Sequence, residues 1–372
     1  MKSADAQRGV AERRAVPERE RRASAKARRG GARRLRVLLL THKELFARDS
    51  IAGRSERAVV PWRTEYHVMR GLEALGHEVE QLGLDTSLAP LHAVLDRFAP
   101  HVVFNLLIEL RDSGGFEPHV VAALEARGVP YTGCNSEALV LTRDKAITKK
   151  LLTWHGMPIP EFATFRRGRR RRAPNGLAFP LIVKPIDEGG SYGIRRASLV
   201  HSAAALERRV AWVHRHCGHD AIAERYIDGR EITVGLLGNR RPHCLPLWEI
   251  HFDGLADGAP RIATERIKWS VKQRRACGVR SGPARRLPPG VQRAIERLAL
   301  RTWRVLRLSG FARIDFRVDA AGTPWLIDVN ANPDVDFRED FARSAAHEGV
   351  RPDALLQRIL DLGLRYRPHW VG

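Results

Sequence analysis

At 372 residues, 44% of them hydrophobic, the chain can bury a large core and divide into two or three domains. Its formal net charge of +22, from 64 Lys and Arg against 42 Asp and Glu, favours anionic partners. The four cysteines, Cys134, Cys217, Cys244 and Cys277, show no CxxC spacing, which excludes a zinc ribbon or a disulfide framework and fits a cytoplasmic setting. No apolar run approaches the roughly 20 residues that cross a bilayer, so no membrane partner is expected.

Residues 1–34 read as a disordered basic tail. They carry Arg13-Arg14, Arg21-Arg22, Arg28-Arg29 and Arg33-Arg34 with almost no apolar periodicity. The stretch lacks the apolar core of a secretory signal, and Glu12, Glu18 and Glu20 set it apart from a transit peptide. Non-specific contact with polyanions is the expectation for it. Deleting residues 1–34 should leave the melting temperature of the remainder nearly unchanged and weaken a salt-sensitive binding to polyanions. A large loss of melting temperature would show instead that the tail packs.

From residue 35 to 138, strands and helices alternate. Leu35 to Leu40 is a strand. Thr64 to Leu75 is a helix closed by Gly76. His77 to Leu82, His101 to Leu107 and Gly128 to Tyr131 are further strands, with helices at Pro90 to Phe98 and Ala122 to Ala126. Alternation of this kind predicts an open α/β sheet with parallel strands. A second block, 139–230, opens with a helix running to about His155. A basic run from Arg166 to Arg172 follows in a loop. Then come a strand ending in Val183-Lys184-Pro185, the stretch Asp187-Glu188-Gly189-Gly190-Ser191-Tyr192-Gly193, a helix at Ala203 to His216 and a strand at Ala221 to Ile227. The third block, 231–372, begins with a strand from Glu231 to Leu237. It also contains a hairpin of Arg313 to Val318 and Trp325 to Asn330 about a turn at Asp319 to Pro324.

Four features carry chemistry. Alternate side chains of a strand share a face, so Arg313 and Asp315 point one way, and Asp328 and Asn330 share a face on the returning strand. If these faces coincide, three oxygen ligands and a guanidinium meet, a set that suits Mg²⁺ and a nucleotide triphosphate. Gly189, Gly190 and Gly193 allow a backbone nest for an anion. Lys184, on an apolar strand, needs an anion nearby, and with Lys145 it can neutralise phosphate. The strand at Glu224-Arg225-Tyr226-Ile227 offers a backbone edge to an adenine ring, and Glu231 can accept from ribose hydroxyls.

In this order the parts resemble the ATP-grasp superfamily, and within it the D-alanine–D-alanine ligases. The matching phrases are Pro130-Tyr131-Thr132-Gly133, Asp144-Lys145, Val183-Lys184-Pro185, Glu188 to Gly193, Arg313-Ile314-Asp315 and Asp328-Val329-Asn330-Ala331-Asn332-Pro333. The resemblance implies an N-terminal open α/β domain followed by two α+β subdomains enclosing ATP. It also implies an ADP-forming ligase joining a small-molecule carboxylate to an amine through an acyl phosphate, and it admits a homodimer. Lys145, Lys184 and the loop from Gly189 to Gly193 would hold phosphates. Glu224, Arg225 and Ile227 would line the adenine site, with Glu231 on the ribose. Asp315, Asp328 and Asn330 would hold two Mg²⁺ ions, for which Mn²⁺ can substitute. Arg313, Lys268 and Ser191 would form the catalytic set.

One departure falls on the metal side, where Asp328 stands in place of the family's Glu and shortens the bridging carboxylate by one methylene, and the others fall on the substrate side. Thr41-His42-Lys43-Glu44 replaces a glycine-rich motif carrying a substrate-amine glutamate, and Glu109 to Gly115 replaces a loop with His and an acidic run. Gly190 replaces a serine, and Trp269 a lid tyrosine. Two other readings therefore stand beside a D-alanine ligase. One is a ligase for another amino acid, peptide or protein tail. The other is a non-catalytic nucleotide- or nucleic-acid-binding protein that works through its basic tail.

Overall fold

β1 (Arg36–His42) carries the apolar run Val37 to Leu40, and its last six residues are buried, as expected of a strand covered on both faces. α1 (Arg63–Ala74) follows, then β2 (Glu78–Leu84), α2 (Ala89–Phe98), β3 (Val102–Asn105) and α3 (Glu117–Ala126). The strands pair in parallel in the order β2-β1-β3. In the computed structural model, residues 33–48, 50–111, 113–169, 176–255 and 260–370 are described, apart from the side chains of Arg57, Trp269, Val271 and Lys272. All but the last two residues of the basic tail, and Arg170 to Arg172 of the basic run, lie outside them.

The strand expected at Gly128 to Tyr131 is only a bridge between Val103 and Tyr131. Pro130 has no N–H to extend the ladder, and Gly133, at φ 96°, turns the chain away. The helix expected up to His155 is two helices, α4 (Ser136–Arg143) and α5 (Lys145–Trp154). Asp144 separates them with extended backbone, and its carboxylate accepts from the N–H groups of Ala146 and Ile147 at 2.7 and 3.0 Å. This cap fixes where Lys145 starts its helix.

The second sheet is antiparallel, β4-β7-β5-β6, built from β4 (Phe162–Phe165), β5 (Leu181–Pro185), β6 (Leu199–Val200) and β7 (Ala221–Arg225). α6 (Ala203–His216) covers one face. Its Leu206, Val210 and Val213 pack with Leu181, Val183, Ala221 and Ala223. Sequence reasoning passed over β4.

The third sheet runs β11-β10-β8-β12-β13, with β9 on β8. Its strands are β8 (Arg230–Leu237), β9 (His243–Cys244), β10 (Trp248–Phe252), β11 (Val279–Pro283), β12 (Phe311–Val318) and β13 (Pro324–Asn330). The short helices α7 (Glu265–Trp269) and α8 (Val271–Ala276) lie between β10 and β11. α9 (Val291–Val305), α10 (Asp340–His347) and α11 (Pro352–Arg365) complete the chain. Ile295, Ala299 and Trp303 of α9 join a core with Ile232, Ile314 and Phe316 of the sheet. No helix among the described residues is long and apolar enough to cross a membrane.

Candidate active site

The β12–β13 hairpin pairs Arg313 with Asn330 and Asp315 with Asp328, and a bulge follows Asp315. Two carboxylates therefore stand opposite one another on one face. Arg313 grips Asp315 bidentately, Nε donating to Oδ1 at 2.7 Å and Nη2 to Oδ2 at 2.9 Å. Burial works against the Arg313 charge, but the adjoining Asp315 carboxylate more than offsets it and raises the pKa. Asn330 Oδ1 accepts from the Asn332 N–H at 2.9 Å, and Asn332 donates in turn to Glu117 at 2.8 Å.

Against the hairpin lies a lysine cluster. Lys145 Nζ is 3.9 Å from Asp328 Oδ1 and donates to the Glu188 carbonyl at 2.6 Å. Lys184 Nζ is 3.0 Å from one Glu224 oxygen, and Lys149 Nζ is 3.3 Å from the other. Burial alone would raise the Asp328 carboxyl, but Lys145, Lys184, Lys149 and Arg313 hold it below the usual carboxylate range. Burial likewise opposes the Lys184 charge, yet Glu224, Asp328 and Asp315 lift its pKa, whereas burial wins at Lys149 and lowers it. Sequence reasoning missed Lys149. The signal was its spacing of four from Lys145, which puts both on one face of a helix.

The glycine-rich loop leaves β5 with Gly190, Ser191 and Gly193 at φ 63°, 63° and 69°. At Gly193 a Cβ would meet Cys217 Sγ at 2.9 Å and Pro185 Cγ at 3.1 Å, so glycine is required there for space as well as conformation. Gly193 N–H donates to Glu265 Oε2 at 3.1 Å, and Glu265 N–H donates to the Ile194 carbonyl at 3.0 Å. The loop is thereby joined to α7, which carries Lys268. Burial, then Arg313, lowers the Lys268 pKa, while Asp315, Glu339 and Asp328 attract its charge. Lys268 thus sits within electrostatic reach of the hairpin.

Ten of the residues singled out from the sequence line one cleft: Lys145, Lys184, Gly189, Ser191, Glu224, Arg225, Ile227, Glu231, Asp315 and Asp328. Ile182, Tyr226 and Ile262 give it apolar walls. Gly190, Gly193, Lys268, Arg313 and Asn330 do not line it. Glu224, expected to line the adenine site largely through its backbone, turns its side chain to Lys149 and Lys184. The Arg225 guanidinium lies 4.5 Å over the Trp325 ring and pairs with Glu161. Glu231 accepts from Arg317 Nη2 at 2.6 Å. The Trp269 side chain lies outside the described residues.

Glu117 adds a pH dependence. Burial pushes its carboxyl from the ordinary 4.5 up to about 7, although the Asn332 hydrogen bond pulls the other way. Between those values the folded state binds more protons than the unfolded chain, so this group's contribution falls as pH rises through the window. Glu117→Gln should match the parent near pH ~4 and exceed it by up to about 3 kcal/mol above pH ~8, read from urea denaturation at both pH values.

Comparison with known proteins gives the following. The family model described as D-ala D-ala ligase C-terminus matches residues 151–361. The uncharacterized protein y4sG of Sinorhizobium fredii is 32% identical over 318 residues, spanning 82% of this chain and 89% of that protein. The D-alanine–D-alanine ligase of Moorella thermoacetica is 31% identical over 327 residues, 84% of this chain and 97% of that one. The enzyme of that name from Bordetella avium is 34% identical over 311 residues, covering 83% and 91%. Among solved structures, the D-alanine–D-alanine ligase from Bacillus anthracis complexed with ATP superposes with a TM-score of 0.66 at 20% identity, over 89% of this chain and 98% of that one, a likeness of fold.

Proposed function

This chain belongs to the D-alanine–D-alanine ligase family, with the ATP-grasp fold, and from that premise we propose that it is an ADP-forming carboxylate–amine ligase for small-molecule substrates. The observation that carries the reading is the facing pair Asp315 and Asp328, set beside Lys145 and Lys184 in one cleft. A substrate carboxylate would attack the terminal phosphorus of ATP, giving an acyl phosphate and ADP. An amine would then add to the acyl carbon, lose its proton and expel phosphate.

The donors fit Mg²⁺: two carboxylates and an amide oxygen, all hard oxygens, with Asp328 held ionised by surrounding lysines. Asp315, Asp328 and Asn330 would hold the metal, which supplies charge neutralisation at the phosphates. Lys184, kept charged by Glu224, and Lys145 would bind phosphate oxygens. Ser191 and the loop amides would cover them, excluding water that would otherwise hydrolyse the acyl phosphate. Tyr226, Ile227 and Ile182 offer apolar surface for a base, with Glu231 placed for the ribose. Arg313 and Lys268 would face charge developing at the carboxylate end.

The substrate-side departures argue against D-alanine as the preferred substrate, because a small zwitterion loses polar partners there at roughly 1–3 kcal/mol for each buried group left unpaired. ADP release, followed over a panel of amino acids and short peptides with ATP and Mg²⁺, should be poor with D-alanine alone and stronger with a larger amino acid or a peptide. Robust D-alanyl-D-alanine formation at millimolar substrate would return the chain to the plain family activity. ATP binding without ADP release for any carboxylate–amine pair would favour the non-catalytic reading.

A further inference from the structure

Just beyond β13 the chain enters an acidic stretch that the chemistry above leaves without a task. Asp334, Asp336 and Glu339 face the first turn of α1, which brings Arg63, Thr64, Glu65 and His67. The Arg63 and His67 side chains of this group are spent on two of the carboxylates. Asp336 takes Arg63 Nε at 3.2 Å and His67 Nδ1 at 2.8 Å, and Glu339 takes Arg63 Nη2 at 3.0 Å.

Glu65 and Asp334 remain, and among the described residues neither is ion-paired. Asp334 Oδ1 has only neutral donors, the Thr64 hydroxyl at 2.9 Å and the Asp336 N–H at 2.8 Å. Glu65 is 5% exposed, and its Oε2 is buried with no hydrogen-bond partner. Burial, then the facing Asp334 and Asp336, pushes its carboxyl up to about 8. A buried carboxylate oxygen without a donor costs stability unless a ligand supplies one. The place of this pocket is set by its neighbours. Asp334, which is exposed, comes four residues after Asn330 of the hairpin, and Glu339 and Asp340 act on the charges of Lys268 and Arg313, so this acidic group adjoins the site.

We propose that this pocket is the acceptor subsite and that it takes an amine carrying a second positive charge, a basic amino acid or a diamine, whose distal ammonium or guanidinium lies between Glu65 and Asp334. The inference deepens the ligase reading and rests on it. An organic cation is the occupant these acceptors favour, and among the described residues no set of three carboxylate or histidine side chains converges at this group, as one does at Asp187, Glu188 and His219 by the glycine loop. An ammonium needs two or three acceptors spread around it, which is what Glu65 and Asp334 leave free.

The test uses the full-length protein with Mg²⁺ and a non-hydrolysable ATP analogue, titrated calorimetrically with lysine, putrescine, and norleucine as the uncharged match for lysine. Lysine or putrescine should bind at least about tenfold more tightly than norleucine, and Asp334→Asn or Glu65→Gln should remove that margin. Affinity for the ATP analogue, measured in the same preparations, reports separately on folding and on the ligase reading. Equal affinity for lysine and norleucine in protein that binds the analogue overturns the subsite and leaves the ligase reading standing. Displacement of bound lysine by a stoichiometric divalent ion, lost in Asp334→Asn, also overturns it, because the pocket would then be a metal site. A lysine preference that survives both substitutions places the cation elsewhere and overturns it as well.

Discussion

Asp315→Ala or Asp328→Ala should lower ADP formation at least about 100-fold while thermal unfolding stays cooperative. Residues that only support a metal's ligands already cost 10–100-fold when removed, and under the proposed reading Asp315 and Asp328 would themselves be the ligands. The fold should survive because both side chains line the cleft rather than the apolar core. Asp328→Glu is the informative companion. It restores the longer carboxylate that the family carries, so it should keep turnover, whereas Asp328→Asn should lose it. A Mg²⁺ titration of ADP release decides between these outcomes. Near-parental turnover in Asp315→Ala would remove the hairpin from the metal site.

The second large effect lies in stability. Glu224→Leu should destabilise the protein by about 3–5 kcal/mol, the usual result of taking one partner from a buried ion pair. Glu224 is 2% exposed and is the shared counter-charge for Lys149, itself 2% exposed, and for Lys184. Removing it strands two ammonium groups together. Lys149→Met should cost less, because Lys184 still satisfies the carboxylate. In the double variant Glu224→Leu with Lys149→Met, part of the loss should return, and a denaturation cycle over the four proteins measures that coupling. A Glu224→Leu loss below about 1 kcal/mol would mean that water reaches the cluster and screens it.

The contrast between these residues explains what could be read from the sequence. The hairpin was legible because its chemistry is local: period-two spacing on two strands joined by one turn places Asp315 and Asp328 face to face. The parallel strand β1 was legible as a short apolar run, and α6 by its three- and four-residue apolar spacing. α9 shows the same pattern at Val291, Ile295, Ala299 and Trp303, and it was passed over although the signal was present. β10 and β11 were not legible. Trp248–Phe252 is only half buried, and Val279–Pro283 contains a glycine and ends in a proline, so neither alternates cleanly. The ion pairs of Glu224 were not legible because its partners come from a helix and from another strand. The acidic pocket was invisible for the same reason: Thr64 and Asp334 meet across 270 residues of chain, and no window of sequence holds both.

Gly193 and Glu265 are joined by two hydrogen bonds that run in opposite senses, one through a side chain and one through the backbone next to the glycine. The loop that would cover phosphate and the helix that carries Lys268 are therefore tied to one another at this seam. Under the proposed ligase reading, nucleotide residence time and the exposure of Lys268 to water would be coupled through it. A perturbation that loosens this seam would quicken ADP departure and leak the activated carboxylate to hydrolysis together, so speed of release and fidelity of coupling are traded against each other at one joint.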